Sequence, residues 1–364
     1  MRKTVACSAP YDQGGLGQHF SFIVEEARTA NSLIEHYSPQ PKATDPTGRV
    51  VQVPQQFQRL VRYTPLRFNP GWLHDCFNDW FDRAVASAMI PADEFETVCA
   101  GQAIHSFNRA RQLGYRVLAL QADNSHANNV MIQHLKAIQQ FGIESSWLNE
   151  AQRRKMLRAY EMADLIYVAS DYTRRSFLEA GVPESKLRSR SFTPHPRFVP
   201  PLQRCDDGVF RVVYTGSLTV MKGIPVLLEA FSRLPGCNCE LILVGGSTTR
   251  GMRRYLEAWQ RRDSRIQIAP GDPLPHLQRA SVYVHPSFED GFAYAPIEAM
   301  ACGVLAIVTQ DTGMKDHIQE GVNGYVVPTG NWQALLDRLL MLQRSIAPST
   351  RRAVFACYPN PQFV

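Results

Sequence analysis

No run of roughly 18 or more apolar residues occurs in these 364 residues, which excludes a helix that crosses a bilayer. The start, Met1 to Ser8, carries charge but too short an apolar run for a signal peptide, and Val5 to Ala9 is expected to form a first β-strand. Cysteine occurs 8 times with no framework spacing. Cys237 and Cys239 are one residue apart, and no histidine cluster accompanies them. Reduced thiols in a cytoplasmic protein are therefore expected, and neither disulfides nor zinc. No spacing of His, Cys, Asp or Glu points to a metal, and no cofactor is expected. The dinucleotide fingerprint G-x-G-x-x-G is also missing, which argues against a nicotinamide or flavin enzyme.

Excess charge is modest. The formal net charge is +6, and a basic protein meets nucleic acid, anionic lipid or an anionic small substrate. The basic runs are short: Arg153-Arg154-Lys155, Arg253-Arg254 and Arg261-Arg262. They fall on predicted helices without interleaved aromatics, so no nucleic-acid module is expected. Solvated helix faces are the first reading, and peripheral contact with an anionic membrane the second. The oligomeric state is not readable.

What is present is α/β rhythm, in a length that suits two domains. Val282 to His285 is a buried-strand pattern stopped by Pro286. The loop Ser287-Phe288-Glu289-Asp290-Gly291-Phe292-Ala293 follows, then a helix former carrying Glu298, then the apolar run from Val304 to Val308. Such a unit aims backbone N–H groups and the positive end of a helix dipole into the loop, where phosphate is the expected occupant. Asp290 and Glu298 would repel phosphate if they faced it. They make sense as acceptors for hydroxyls on either side, the chemistry of a sugar, a diphosphate and a ribose in one ligand. A second unit joins the strand Phe210 to Thr215, the loop Gly216-Ser217-Leu218-Thr219-Val220-Met221-Lys222-Gly223 and a helix from Ile224 to Leu234. Near the start, Gly14-Gly15-Leu16-Gly17 precedes a helix expected from Gln18 to Ala30. Gly15 and Gly17 would let backbone approach a ligand, with a plain tight turn as the alternative.

The segment from Asp290 to Gly303 resembles the glutamate-x7-glutamate segment of retaining family 4 glycosyltransferases, whose fold is GT-B. Glu298 and the following Ala-Met-Ala-Cys-Gly match. Asp290 stands where the family has glutamate, and Ala293 where it has glycine. The resemblance is strong from about Ala163 to Asn331 and weak before. It implies an α/β chain of two Rossmann-like domains facing across a cleft. Residues 1–200 would be the acceptor domain and 201–344 the nucleotide-sugar domain, with Pro194 to Pro201, Arg204, Asp206 and Asp207 as linker. The tail 345–364 would pack back on the first domain.

It further implies a metal-independent glycosyl transfer with retention from a nucleotide-diphosphate sugar to an acceptor. Lys222 would clasp the diphosphate with the N–H groups around Gly291 and Phe292. Asp290 would hold the sugar, with Glu289 sharing its role, and Glu298 the ribose. Gly216, Ser217 and Ala293 would complete the donor site. Ser217 stands where the family usually has arginine, and Arg250 is a candidate substitute.

The stretch 38–75, a variable loop region with short strands around Val50–Val53, would carry acceptor specificity. The polar cluster after the strand Arg116 to Leu120 supplies His126 as a catalytic candidate and Asp123 as second, although a histidine there also suits a helix cap. His105 reads as structural. The departures from the family pattern keep two alternatives open: a GT-B epimerase or phosphorylase, and a non-catalytic nucleotide-sugar binder.

Overall fold

The computed structural model describes residues 1–42, 44–52, 54, 63–64, 69–203, 207–247 and 249–345. Val53, Arg204, Asp206 and the tail from residue 346 lie outside the described residues. The chain divides into two units, residues 1–132 with 145–192, and residues 133–144 with the chain from 193 onward. No helix among the described residues is long and apolar enough to cross a membrane.

The first unit is built on parallel strands β1 (Lys3–Ala6), β2 (Leu33–Ser38), β3 (Gly48–Val50), β4 (Glu94–Val98), β5 (Val117–Gln121), β6 (Leu165–Val168) and β7 (Leu187–Ser189). Their order is β3-β2-β1-β4-β5-β6-β7. Helices α1 (Gly14–Thr29), α2 (Pro70–Ala88), α3 (Ile104–Gln112), α5 (Glu150–Met162) and α6 (Asp171–Glu179) accompany them, as do residues 127–132 of α4 (Ala127–Phe141), whose remainder belongs to the second unit. Phe95, Phe107, Leu118 and Phe177 lie in one core cluster, and Val5, Phe20 and Ile23 in another. Strand order reverses between β1 and β4, so the loops after these two strands diverge and leave a crevice at their carboxyl ends.

One expectation changes. Helix α1 begins at Gly14, four residues before Gln18, so the glycines belong to its first turns. Helix α2 begins at Pro70. The Asn69 side chain accepts from Trp72 N at 3.2 Å, and proline suits the first helical position. Asp75, Asn78, Asp79 and Asp82 interrupt its apolar pattern. Helix α4 follows the polar cluster in which a histidine suited to a helix cap was read.

The second unit has strands β8 (Phe210–Thr215), β9 (Cys239–Val244), β10 (Ile266–Ile268), β11 (Val282–His285), β12 (Ala306–Thr309) and β13 (Gly324–Val327). Their order is β10-β9-β8-β11-β12-β13, all parallel. Its helices are α7 (Ile224–Phe231), α8 (Arg250–Arg262), α9 (Leu274–Arg279), α10 (Tyr294–Ala301) and α11 (Trp332–Ser345). Strands β8 and β11 are buried end to end, as in a sheet covered on both faces. Arg211 is tolerated within β8 because Asp207 and Glu240 accept from its guanidinium at 2.6 and 3.1 Å. Here order reverses between β8 and β11. The loops after these strands are the two that the sequence singled out.

Candidate functional site

Residues 281–294 are buried without exception. The loop after β11 is held by its own polar groups. Thr309 Oγ1 donates to Ser287 O at 2.5 Å, Ser287 Oγ donates to Glu289 O at 2.9 Å, and Gly313 N donates to Asp290 O at 2.9 Å. Phe288 N donates to Met221 O at 2.9 Å, tying this loop to the one after β8. That second loop closes on Gly223, which adopts φ +69° and lies so near Pro286 that a Cβ there would sit 1.8 Å from its carbonyl oxygen. Only glycine meets both demands.

The result is a charged pair. Lys222 Nζ stands 2.5 Å from Asp290 Oδ2, and His285 Nε2 stands 3.1 Å from the same oxygen. Burial alone would raise the Asp290 carboxyl. The Lys222 ammonium and the His285 hydrogen bond overcome it and hold the group well below the usual carboxylate range. Burial pushes His285 down, against the pull of Asp290. A neutral His285 facing an ionised carboxylate must donate through Nε2, because the carboxylate can only accept. Its Nδ1 then faces Tyr283 OH at 3.5 Å. Burial pushes the Tyr283 phenol above its usual range, and the charges of Glu298 and Asp290 add to this. Glu298, on α10 and 4 % exposed, therefore stands within electrostatic reach of the same group. Glu289 is also buried.

The remaining donor-site residues fall around this core. Gly291, Phe292 and Ala293 lead into α10. The Phe292 ring meets Tyr294 at 5.7 Å and His317 at 5.9 Å, both edge-on. Ala293 is the N-cap position of α10. Gly216 and Ser217 are exposed. Gly216 N already donates to Val244 O at 2.9 Å, and Ser217 O accepts from Tyr214 OH at 2.9 Å. Arg250 opens α8 and is exposed.

Two contributors escaped the sequence reading. Glu144 Oε1 accepts from Val220 N and Oε2 from Thr249 Oγ1, each at 2.6 Å, so one carboxylate joins the Lys222 loop to the cap of α8. His134, on α4, is pushed down to about 3 by burial, with the Lys222 charge assisting. Its ring therefore lies near that ammonium and stays neutral. The signal was two polar residues, Gln133 and His134, within the buried stripe Ala127, Val130, Ala137 of a helical period.

In the first unit the picture differs. Gly15 has open space where a Cβ would stand, but a Cβ on Gly17 would meet Pro10 O at 2.3 Å. Gly17 is thus required by its own loop. His126 is 3 % exposed and packs against Tyr160 and Phe177 at 5.1 and 5.2 Å. Its Nδ1 accepts from Asn128 N at 3.3 Å, the capping arrangement. Burial, with Arg153 assisting, pushes it down to about 4. Asp123 accepts from Asn124 Nδ2 at 2.8 Å. His105 contacts Asp79 at 3.2 Å on the structural side of α3.

Residues 209–345 match the model of the family described as Glycosyl transferases group 1. The capsular polysaccharide biosynthesis glycosyltransferase CapM of Staphylococcus aureus is 28% identical over 135 residues, 36% of each chain. The chain spans between about a third and a half of the curated relatives it matches. Among solved structures, sucrose-phosphate synthase from Thermosynechococcus elongatus covers 98% of this chain and 92% of its own, with TM-score 0.72 and 19% identity. Anabaena HepE in complex with UDP-glucose covers 98% and 92%, with TM-score 0.66 and 14% identity. The fold is thus of the GT-B class, with two Rossmann-like units, and the match over residues 209–345 bears out the likeness to glycosyltransferases there.

Proposed function

We propose that this chain is a retaining glycosyltransferase that moves a sugar from a nucleotide-diphosphate sugar to a hydroxyl acceptor. One observation carries the reading. Lys222 and Asp290 come from the two loops that flank the point where strand order reverses in the second unit, and they meet at 2.5 Å. Open α/β sheets bind ligands at that point. The match of residues 209–345 to the glycosyltransferase family supports it, as does the UDP-glucose bound by a protein of like fold.

The bond between the anomeric carbon and the diphosphate oxygen breaks, and the acceptor oxygen bonds to the same face of that carbon. The acceptor proton passes to the leaving diphosphate. Charge grows on the diphosphate, so the largest contribution comes from donors aimed at it. Lys222 and the N–H groups around Gly291 and Phe292 fill that role, and no metal is required. An ammonium has three N–H donors, so the bond to Asp290 is compatible with a second one to phosphate. Asp290 accepts from sugar hydroxyls, and Glu298 from the ribose. The test is slow nucleotide release from a donor sugar without acceptor. It should be present in the wild type and lost in Lys222→Ala. Release that survives in this variant contradicts the reading.

A further inference from the structure

Residues 133–144 belong to the second unit, although the chain on either side of them, 1–132 and 145–192, builds the first. The segment holds the last turns of α4 and the connection to Glu144, and it meets three loops of the second sheet. Gln140 Nε2 donates to Gly330 O at 2.9 Å, beyond β13. The Phe141 ring meets Phe288, in the loop after β11, edge-on at 6.3 Å. Glu144 reaches the loop after β8, where its Oε1 accepts from Val220 N, while its Oε2 accepts from Thr249 Oγ1. The backbone behind this carboxylate has no slack. A Cβ on Gly251, in the first turn of α8, would stand 2.4 Å from Ile143 O. Only glycine leaves that room.

The two oxygens of Glu144 do different things. Val220 is fully buried, so its N–H needs an acceptor within the protein. The turn that presents Lys222 is built on the same residue. Gly223 N donates to Val220 O at 2.9 Å, and Lys222 N donates to Thr219 Oγ1 at 3.2 Å. At the other end, Thr249 caps α8 by accepting from Met252 N at 3.2 Å. The carboxylate therefore spans from a fixed helix cap to the turn that carries the ammonium. We infer that Glu144 is a positioning residue for Lys222: it fixes the turn 219–223 so that the ammonium stands at Asp290 and, in the proposed transfer, at the diphosphate. The part that concerns the diphosphate rests on the reading of the previous subsection, whereas the fixing of the turn does not. Positioning depends on reach more than on charge. Glutamine has the reach of glutamate, and its Oε1 accepts from Val220 N while its Nε2 donates to Thr249 Oγ1. Aspartate keeps the charge but is one methylene short of spanning both partners.

The test compares Glu144→Gln, Glu144→Asp, Glu144→Ala and Gly251→Ala in the full chain, with two readouts. Amide hydrogen exchange over residues 217–224 reports the turn. It should quicken by about tenfold or more in the Asp, Ala and Gly251→Ala variants, and by less than about threefold in Glu144→Gln. Calorimetry with UDP, GDP and ADP reports the clasp. The nucleotide that binds the wild type should bind the same three variants about tenfold more weakly, and Glu144→Gln within about threefold. Gly251→Ala leaves the carboxylate intact and puts a better helix former in α8, so its effect comes through the displaced Ile143. Glu144 is half-buried, and its Gln and Asp variants stay polar, so their comparison decides the matter even if the alanine variant does not fold. Exchange that is unchanged in Glu144→Asp and Gly251→Ala overturns the inference. So does a reversed ranking, with Asp near the wild type and Gln impaired, which would make the charge itself the cause. Faster exchange with unchanged nucleotide affinity also overturns it. If none of the three nucleotides binds the wild type, the transferase reading fails, and the exchange ranking alone upholds or overturns the positioning of the turn.

Discussion

Lys222 Nζ is bonded to Asp290 Oδ2 at 2.5 Å across 68 residues of sequence. Each had a separate task in the sequence reading, diphosphate for the lysine and sugar for the aspartate. The ion pair makes them one electrostatic unit, with His285 as its third member. Removing one changes the state of the others.

The two acids should therefore fail differently. Asp290→Asn releases the Lys222 ammonium from its carboxylate, so affinity for the free nucleotide diphosphate should stay equal or rise. Turnover should fall, by about 10²-fold for a lost contact that strengthens in the transition state. Glu298→Gln should instead weaken nucleotide binding by about 1.5–3 kcal/mol, as for a charge-assisted hydrogen bond. Calorimetric titration of both variants decides it. A loss of nucleotide affinity in Asp290→Asn as large as in Glu298→Gln would refute the division of roles.

Gly223→Ala should damage both loops at once. The new Cβ must adopt a left-handed backbone and displace Pro286 O, which it would otherwise approach to 1.8 Å. A loss of at least about 2 kcal/mol in urea unfolding is expected, together with loss of nucleotide binding. Gly15→Ala, where the space is open, is the control and should change stability by less than about 1 kcal/mol. Equal stability of the two variants would contradict the close approach.

Activity should survive EDTA, because Lys222 and backbone N–H groups carry the charge of the leaving diphosphate. The assay is nucleotide release before and after chelation. Complete loss, restored by added magnesium or manganese, would overturn the site as drawn.

Stability should fall on mild acidification. His126 and His134 titrate near 6.5 when unfolded and at about 4 and about 3 when folded. Between these values the unfolded chain binds protons that the folded chain refuses, so stability rises with pH there. Their contribution is intact above about 6.5 and declines as pH falls toward 4, with His134 still declining toward 3. Urea midpoints at pH 7, 6 and 5 should decrease in that order, and less steeply in His126→Gln. A flat profile would show that neither histidine is held neutral.

How much of this was legible follows from what each segment displays locally. The strands β8 and β11 are short, β-branched and aromatic runs that stop at Gly216 and Pro286, and both read correctly. Lys222 and Asp290, singled out through the resemblance, meet at 2.5 Å. Only the start of helix α4 was legible, at His126, because Gln133 and His134 break its apolar stripe at buried positions. The first turns of α2 show no clean apolar period, because Asp75 and Asn78 stand among its apolar residues. The close approach of Gly17 to Pro10 is a fact of the folded loop that no spacing displays. His126 kept two readings in the sequence, and its bond from Asn128 N is the capping one.

The most direct measurement is calorimetric titration of UDP, GDP and ADP into the wild-type chain and into Lys222→Ala. The account predicts that at least one nucleotide binds the wild type, and that the variant binds it about 10- to 100-fold more weakly, the cost of a charge-assisted bond to phosphate. A nucleotide diphosphate that binds both proteins equally, or the failure of all three to bind the wild type, would contradict it.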